Sequence, residues 1–298
     1  MRGSRAPATT ADVVANASDK HKTHSSTSGQ PHVSQAAFLH IELSAMLPRE
    51  QAGRLAVVLV RARNPNNIGA VARAMHDFGF DDLRVVNDYT VPLETARSAV
   101  DASAVLAASK TFSSVAEAVA DCTLVIGTTA VGERALQHQL YTLAEAAPLV
   151  RGDLARDDGA GRVALLFGSE KTGLSNEELS HCNWLVTIPM QQYDDARHPS
   201  MNLGQAAAVC LYELVRQGRD AVSVTSDAAM TVSERERLIA LLTEALSESG
   251  YTARHPANCS EEQIRRLVTR MGVAGGDAPV WMGILRQILW KLSKTDAR

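Results

Sequence analysis

The sequence has few of the features that build disulfide-bonded, metal-binding or membrane-spanning proteins. Its four cysteines lie far apart among 298 residues, and no CxxC pair indicates a zinc site or a disulfide framework. No apolar run approaches the roughly 20 residues that cross a bilayer, and the first residues lack the apolar stretch of a secretory signal. We therefore expect a reduced, cytoplasmic protein with no membrane segment and no metal site.

The charge balance and the missing nucleotide signatures narrow the classes further. With 33 acidic and 30 basic residues the formal net charge is −3, which argues weakly against a protein that coats long nucleic acid non-specifically. A local basic patch around one RNA site stays compatible with this total. Neither the GxxxxGK[ST] order of a P-loop nor the GxGxxG of a dinucleotide fold occurs, so a nucleotide-dependent oxidoreductase is disfavoured.

Composition and periodicity divide the chain into four segments. Residues 1–50 are rich in Ser, Thr, Ala and His and predict a disordered tail. Over residues 51–217 apolar runs of strand length alternate with helical patterns, which predicts an α/β domain with a parallel sheet. A linker at 218–231 leads to residues 232–298, where three apolar helical stripes predict a small helical extension.

The expected secondary structure of the domain follows from these patterns. The strands are expected at 55–60, 83–86, 123–127, 163–167 and 184–188. The helices are expected at 70–80, 96–109, 115–120, 143–150, 176–182 and 202–216.

Three polar or glycine-containing segments follow predicted strands, at the sheet edge where ligands of open α/β sheets bind. The first is NPNNIGAVAR, in which Asn67 is a candidate helix cap, Gly69 allows close approach and Arg73 lies one to two turns into the helix. Taken alone, this segment is better explained as a capped helix with a surface arginine.

The second segment is FGSEKTGL, residues 167–174, followed by Ser175 and Glu178. Its glycines fit two interpretations about equally well: close approach of the backbone to a ligand, or a structural turn. Ser175 and Glu178 fit a capping box, which explains the helix start without any ligand.

The third segment joins IPM, residues 188–190, to PSMNLG, residues 199–204. Ser200 is a plausible cap of the helix that follows. The small residues Ala206–Ala208 allow a neighbouring helix to pack closely, either across a dimer interface or in a tight internal crossing.

In this order and spacing the three segments resemble the motifs of the SPOUT superfamily, and within it the TrmH-type RNA 2′-O-ribose methyltransferases. The resemblance covers about residues 55–217, and the segment after residue 232 is similar to the C-terminal extension of the bacterial TrmJ enzymes. It implies an α/β fold whose parallel sheet carries a C-terminal deep trefoil knot, with a small C-terminal helical extension.

The resemblance also implies the cofactor, S-adenosyl-L-methionine, and the residues that hold it. Arg73 corresponds to the arginine proposed to activate the ribose 2′-OH, with Asn67, Ser200 and Asn202 completing the catalytic set. Since a guanidinium normally stays protonated, Arg73 either loses its proton in a special environment or orients the hydroxyl while another base accepts the proton; we favour the second role. The residues implied in cofactor binding are Thr128, Thr129, Ala130, Gly168, Glu170, Ile188, Ser200, Met201, Asn202 and Leu203.

The implied activity is methylation of the 2′-OH of a tRNA cytidine or uridine at anticodon-loop position 32, by a homodimer in which the partner subunit can supply Arg73. The alternatives are another tRNA position, ribosomal RNA, or a catalytically silent RNA-binding dimer on the same scaffold. The loop at 191–198, which is acidic at Asp194 and Asp195, is longer than usual for the bacterial TrmJ enzymes and leaves the RNA specificity open.

The extension is the candidate second RNA contact. From Gly250 onward, eight basic residues stand against four acidic ones. Arg265, Arg266 and Arg270 are expected to face solvent and RNA, while the apolar residues between them, Ile264, Leu267 and Val268, pack inward. Charges that merely solvate a helix face explain the pattern about as well.

Overall fold

Seven parallel strands form the sheet in the described part of the chain. The computed structural model describes residues 47–87, 102–130, 136–156, 161–191, 201–216 and 229–295. The strand order across the sheet is β3-β2-β1-β6-β4-β7-β5, and every neighbouring pair is parallel. The strands are β1 (Leu55–Val60), β2 (Asp82–Val86), β3 (Lys110–Phe112), β4 (Leu124–Thr128), β5 (Leu140–Thr142), β6 (Val163–Phe167) and β7 (Trp184–Thr187).

Helices cover both faces of the sheet and form the C-terminal part of the chain. They are α1 (Arg49–Ala52), α2 (Pro65–Phe78), α3 (Ser103–Ala107), α4 (Val115–Ala118), α5 (Leu143–Leu154), α6 (Asn176–Ser180), α7 (Leu203–Val215), α8 (Val232–Glu248), α9 (Tyr251–Arg254), α10 (Glu261–Met271) and α11 (Ala278–Thr295). Short 3₁₀ turns at Pro256–Asn258 and Gly275–Asp277 separate the last three helices.

The central strand β1 shows why the sheet needs helices on both sides. All six of its residues are buried, and successive side chains enter opposite cores. Leu55, Val57 and Leu59 join the core under α2, α5 and α7, whereas Ala56, Val58 and Val60 join the core under α4 and α6. A continuous apolar run is therefore what a strand in this position requires.

The five predicted strands are present, and the structure adds β3 and β5. Both added strands have three residues and no buried side chain, so no apolar run marks them. Ile188, predicted as the last residue of a strand, lies one residue beyond the end of β7. Of the helix predicted at 96–109, residues 103–107 are helical in α3, and 96–101 lie outside the described residues.

The helical extension grows out of the domain core. The Val232 and Ser233 amides donate to the Cys122 and Ala120 carbonyls (2.9 and 3.0 Å), and Val232 is fully buried in the core under α4 and α6. Helices α10 and α11 pack on α8 around a third core that contains Leu238 and Ile264. Residues 1–46 of the predicted tail and 217–228 of the predicted linker lie outside the described residues. Helix α1 begins at Arg49, within the last two residues assigned to the tail.

The apolar stripes of the extension do not all face inward. Ile264 and Val268 are buried as expected, but Leu267 is 48% exposed. On α11, Leu285 is buried, while Trp281, Ile284 and Ile288 are exposed. The prediction for Leu267 was wrong because α10 packs against α8 and α6 along a narrower stripe than the periodicity indicates.

Candidate functional site

A cleft of about 460 Å³ opens at the carboxyl ends of β4, β6 and β7. Four chain segments that are far apart in sequence form its walls. These are the residues just after β4, the loop after β6, the residues after β7 and the start of α7. The lining consists of Thr128, Thr129, Ala130, Phe167, Gly168, Ser169, Glu170, Lys171, Thr172, Gly173, Leu174, Leu179, Val186, Ile188, Met190, Met201, Leu203, Ala206 and Cys210.

The cleft gathers most of the predicted cofactor-binding residues. Of those ten, eight line it. Asn202 lies between two lining residues without lining the cleft itself, and Ser200 lies outside the described residues. The predicted cofactor-binding set did not include Lys171, Thr172 and Met190, which line the cleft from the same loops. It also did not include Cys210, which reaches the cleft from the third turn of α7.

The loop after β6 requires glycine where it turns back on itself. A Cβ atom on Gly168 would overlap the backbone of Gly173 and Leu174, so no larger residue fits without moving the loop. Gly173 adopts a left-handed conformation (φ 65°), and its amide donates to the Ser169 carbonyl (2.8 Å). The result is a tight loop that presents backbone atoms to the cleft.

A chain of side-chain hydrogen bonds joins the three motif segments beside the cleft. Asn202 Nδ2 donates to Asn67 Oδ1 (3.2 Å), and Asn67 Nδ2 donates to Glu170 Oε1 (2.8 Å). Burial raises the pKa of Glu170, but hydrogen bonds from Asn67 and from backbone amides at Glu170, Arg63 and Asn64 outweigh it and hold the pKa below its ordinary value. Glu170 is therefore an ionised acceptor that organises its neighbours.

Two predicted helix caps are replaced by other residues. Asn64, not Asn67, caps α2: its side chain accepts the Asn66 amide (3.0 Å), and Pro65 occupies the first helical position. Likewise Asn202, not Ser200, caps α7 by accepting the Gly204 amide (2.9 Å). Because Asn64 carries the capping role, the Asn67 side chain is free to bridge Asn202 and Glu170. The predicted capping box of Ser175 and Glu178 is confirmed in both directions.

Helices α2 and α7 cross closely enough to bring the two asparagines together. A Cβ atom on Gly204 would lie 2.5 Å from the Ala70 Cβ, well inside ordinary contact. The close internal crossing is thus made at Gly204, and Ala207 is buried in the same core. This crossing places Asn202 beside Asn67 although 135 residues separate them.

Arg73 lies on the opposite side of α2 from the core and outside the cleft lining of its own chain. Its side chain is 55% exposed, and its nearest acidic neighbour is Asp77, with 3.9 Å between Nε and Oδ2. His76, one turn on, is also exposed and lies 3.5 Å from the same carboxylate. Within one chain, Arg73 is therefore available to an external partner.

The arginines of α10 differ in their surroundings. Arg265, predicted to face solvent, is 5% exposed and fully engaged: it contacts Glu236 (3.1 Å), Glu261 (2.6 Å) and Ser180 Oγ (3.1 Å). That prediction was wrong because the guanidinium fastens the extension to α6. Arg266 is partly buried and pairs with Glu262 (3.4 Å), and Arg270 is exposed.

Metal and membrane features can be judged for the described ranges. Over these ranges the His, Cys, Asp and Glu side chains form no group suited to holding a metal ion. No helix within them is long and apolar enough to cross a bilayer.

A parallel α/β sheet with a small-molecule cleft at its carboxyl edge, and three motif segments joined by hydrogen bonds beside that cleft, are the features of a SpoU-type RNA methylase. Residues 54–212 match the SpoU rRNA Methylase family, and the chain belongs to that family.

Known relatives extend the similarity over most of the chain. It is 30% identical to the tRNA (cytidine-2′-O-)-methyltransferase TrmJ of Methanocaldococcus jannaschii, over 75% of this chain and 95% of that protein. It is 32% identical to the tRNA (cytidine/uridine/adenosine-2′-O-)-methyltransferase TrmJ of Pseudomonas aeruginosa, over 81% and 94%. The crystal structure of TrmJ from Z. mobilis ZM4 aligns with a TM-score of 0.65 at 30% identity, over 78% of this chain and 98% of that one.

Proposed function

We propose that this chain is an S-adenosyl-L-methionine-dependent tRNA 2′-O-ribose methyltransferase that acts on cytidine or uridine at anticodon-loop position 32. The observation that carries the proposal is the cleft lined by the second and third motif segments, with the first motif joined to both beside it by the hydrogen-bond chain from Asn202 through Asn67 to Glu170. The names of the TrmJ relatives support a tRNA ribose as substrate, and position 32 rests on the resemblance to the bacterial TrmJ enzymes.

The cleft fits the methyl donor in size and chemistry. Its volume lies within the roughly 300–1,000 Å³ of small-molecule sites, and it combines apolar walls with a few polar groups. The bound donor supplies a methyl group on a positively charged sulfur. Leu174, Ile188 and Leu203 offer apolar contact, while the loops at 128–130 and 168–170 offer backbone donors and acceptors; Ser200, Met201 and Asn202 complete the proposed set.

Donor binding needs no metal in this proposal. Glu170 is the only acidic residue among the described residues that line the cleft. Its carboxylate already accepts hydrogen bonds from Asn67 and from backbone amides. The donor set is therefore suited to holding a nucleoside through backbone and amide groups rather than a cation.

Arg73 of the partner subunit acts on the ribose in the proposed homodimer. Because Arg73 lies outside its own cleft, a second subunit must bring it to the reacting atoms. Its guanidinium orients the 2′-hydroxyl and stabilises the charge that develops on oxygen, while the proton leaves to a separate base. The new bond joins the ribose oxygen to the methyl carbon, and the carbon–sulfur bond breaks.

The proposed dimer face includes the outer side of α7, where Val209 and Tyr212 are exposed. Val209→Glu should yield monomers without turnover, measured by light scattering and by methyl transfer. Val280→Glu is the matched control, because Val280 is an exposed valine on α11. Full activity of a monomer at the assay concentration would refute the shared site.

The finer organisation of the chain belongs to the same proposal. The segment carrying the second and third motifs is proposed to thread a deep trefoil knot, within a methyltransferase domain at 51–217. A tail at 1–50 and a linker at 218–231 flank it, and the extension at 232–298 contacts tRNA through Arg266 and Arg270. The protein is proposed to act in the cytoplasm.

The deciding experiment is mass-spectrometric mapping of 2′-O-methyl groups. Purified protein, S-adenosyl-L-methionine and tRNA should give one methylated nucleotide at position 32, and the mark should disappear from a strain that lacks the protein. A mark at another tRNA position or in ribosomal RNA would correct the substrate. If the protein binds RNA but not the methyl donor, it is a catalytically silent RNA-binding dimer rather than an enzyme.

A further inference from the structure

Arg61 has an unusual backbone at the junction between β1 and the first motif. Among the described residues, Arg61 is the only one other than glycine that adopts a positive φ (56°). An L-residue with a Cβ atom is disfavoured there, so the surrounding structure must hold it in place. Its amide does so in part by donating to the Val86 carbonyl (2.8 Å).

The Arg61 side chain reaches across to the loop that forms one wall of the cleft. Its Nε and Nη2 atoms contact the two carboxylate oxygens of Glu178 at 2.6 and 2.9 Å. Nη2 also donates to the Gly173 carbonyl (3.1 Å). A guanidinium can make this planar two-point contact and still serve a third acceptor, whereas an ammonium group cannot match that geometry.

Glu178 connects this contact to the start of α6. Its Oε2 also accepts the Ser175 amide (2.6 Å), which is one half of the capping box. The loop at 168–174 is thereby held at its closing residue, Gly173, and at the helix cap that follows it. All seven residues of that loop line the cleft.

We infer that Arg61 is a positioning residue that locks the loop at 168–174 in the shape that receives the methyl donor, by bridging Gly173 and Glu178. The inference rests on the proposed function for the identity of the ligand. Arg61 touches neither the donor nor the ribose in this role; it removes the freedom that the loop would otherwise lose on binding.

Replacing Arg61 should weaken donor binding without weakening RNA binding. Arg61→Gln should raise the Kd for S-adenosyl-L-methionine roughly tenfold by calorimetry, and the KM for donor in proportion, with the KM for tRNA unchanged. Arg61→Lys should recover only part of the loss. Arg54→Gln is the matched control: Arg54, at the other end of β1, donates to the Leu154 and Arg156 carbonyls and pairs with Glu50.

Hydrogen exchange measured without donor tests whether Arg61 orders the loop, whatever ligand the cleft binds. Amides of residues 169–174 should exchange faster in Arg61→Gln than in the wild type, while those of β1 and β6 should not. Unchanged exchange, unchanged donor Kd or an equal effect in Arg54→Gln would overturn the inference. If the wild type binds no donor, the proposed function fails, and the exchange result still decides whether Arg61 orders the loop.

Discussion

The close crossing of α2 and α7 can be tested by adding one methyl group and removing another. Gly204→Ala would place a Cβ atom 2.5 Å from the Ala70 Cβ, whereas carbon atoms in good contact are about 3.5–4.0 Å apart. The two helices must therefore separate by about 1 Å at this point. Overpacking of this kind costs about 1–3 kcal/mol of the free energy of unfolding.

Removing the Ala70 methyl group should restore the close packing of α2 against α7 in the Gly204→Ala variant. Ala70→Gly alone should cost about 1 kcal/mol, because glycine is unfavourable inside a helix. In the double variant the overlapping methyl group is gone, so its stability should lie close to that of Ala70→Gly alone. The two substitutions should thus show a coupling free energy of about 1–3 kcal/mol.

Denaturant unfolding of the three variants measures this coupling, and donor affinity measures its consequence. Because Gly204 adjoins Asn202, displacement of α7 should break the contact with Asn67 and weaken donor binding in Gly204→Ala. The double variant should regain most of that affinity. Strictly additive free energies in the three variants would show that α2 and α7 do not meet at these residues, and would refute the reasoning.

The remaining predictions address the catalytic arginine, the metal, acid stability and RNA contact. Arg73→Ala should abolish turnover while donor affinity and melting temperature stay unchanged, because Arg73 lies outside the cleft lining; His76→Ala is its neighbour control. A chelator should leave the calorimetric donor Kd unchanged. Asp82 contacts Arg84 (2.7 Å), Arg162 and Lys110 (3.5 Å); burial raises its pKa, but Arg84 and Arg162 outweigh burial and hold the pKa below its ordinary value. The contribution of Asp82 to stability is therefore fully present above the pKa of the unfolded chain and is lost as the pH falls through the lower pKa of the folded protein. Asp82→Asn should therefore flatten the fall in melting temperature in acid, measured by circular dichroism. Arg270→Gln should weaken tRNA binding and reduce the salt slope, measured by filter binding at several salt concentrations.

Each of these has a result that contradicts it. Loss of donor binding in Arg73→Ala would move that residue into the cofactor site, and loss of donor binding with chelator would require a metal. An acid transition identical in Asp82→Asn and wild type would remove Asp82 as its source. Unchanged tRNA affinity and salt slope in Arg270→Gln would leave the extension a packing role alone.

Point variants test the extension better than a truncation near Gly218 does. Val232 is buried in the domain core, and Arg265 and Arg235 contact the α6 region, where Arg235 donates to the His181 carbonyl (3.2 Å). Removing the extension would expose that core and unpair those groups. Weaker RNA binding by a truncated chain would then mix loss of contacts with loss of folding.

Local patterns were sufficient to predict the buried strands and the position of the motifs. A central parallel strand is covered on both faces, so burial alone demands the continuous apolar runs of β1 and β6. Helix starts with both halves of a capping box, as at Ser175 and Glu178, are equally local. Because the carboxyl ends of parallel strands share one edge, the motifs were expected to meet there, and the cleft lies at that edge.

Tertiary structure alone decided which residues of those motifs contact one another. Asn67 and Glu170 are 103 residues apart, and they meet only because β6 inserts beside β1, a pairing that depends on how the crossovers pack. The same holds for Arg265, whose helical position predicts exposure until α6 and Glu236 cover it. Periodicity records which side of an element is apolar, but it carries no information about the neighbour that a polar side chain will find.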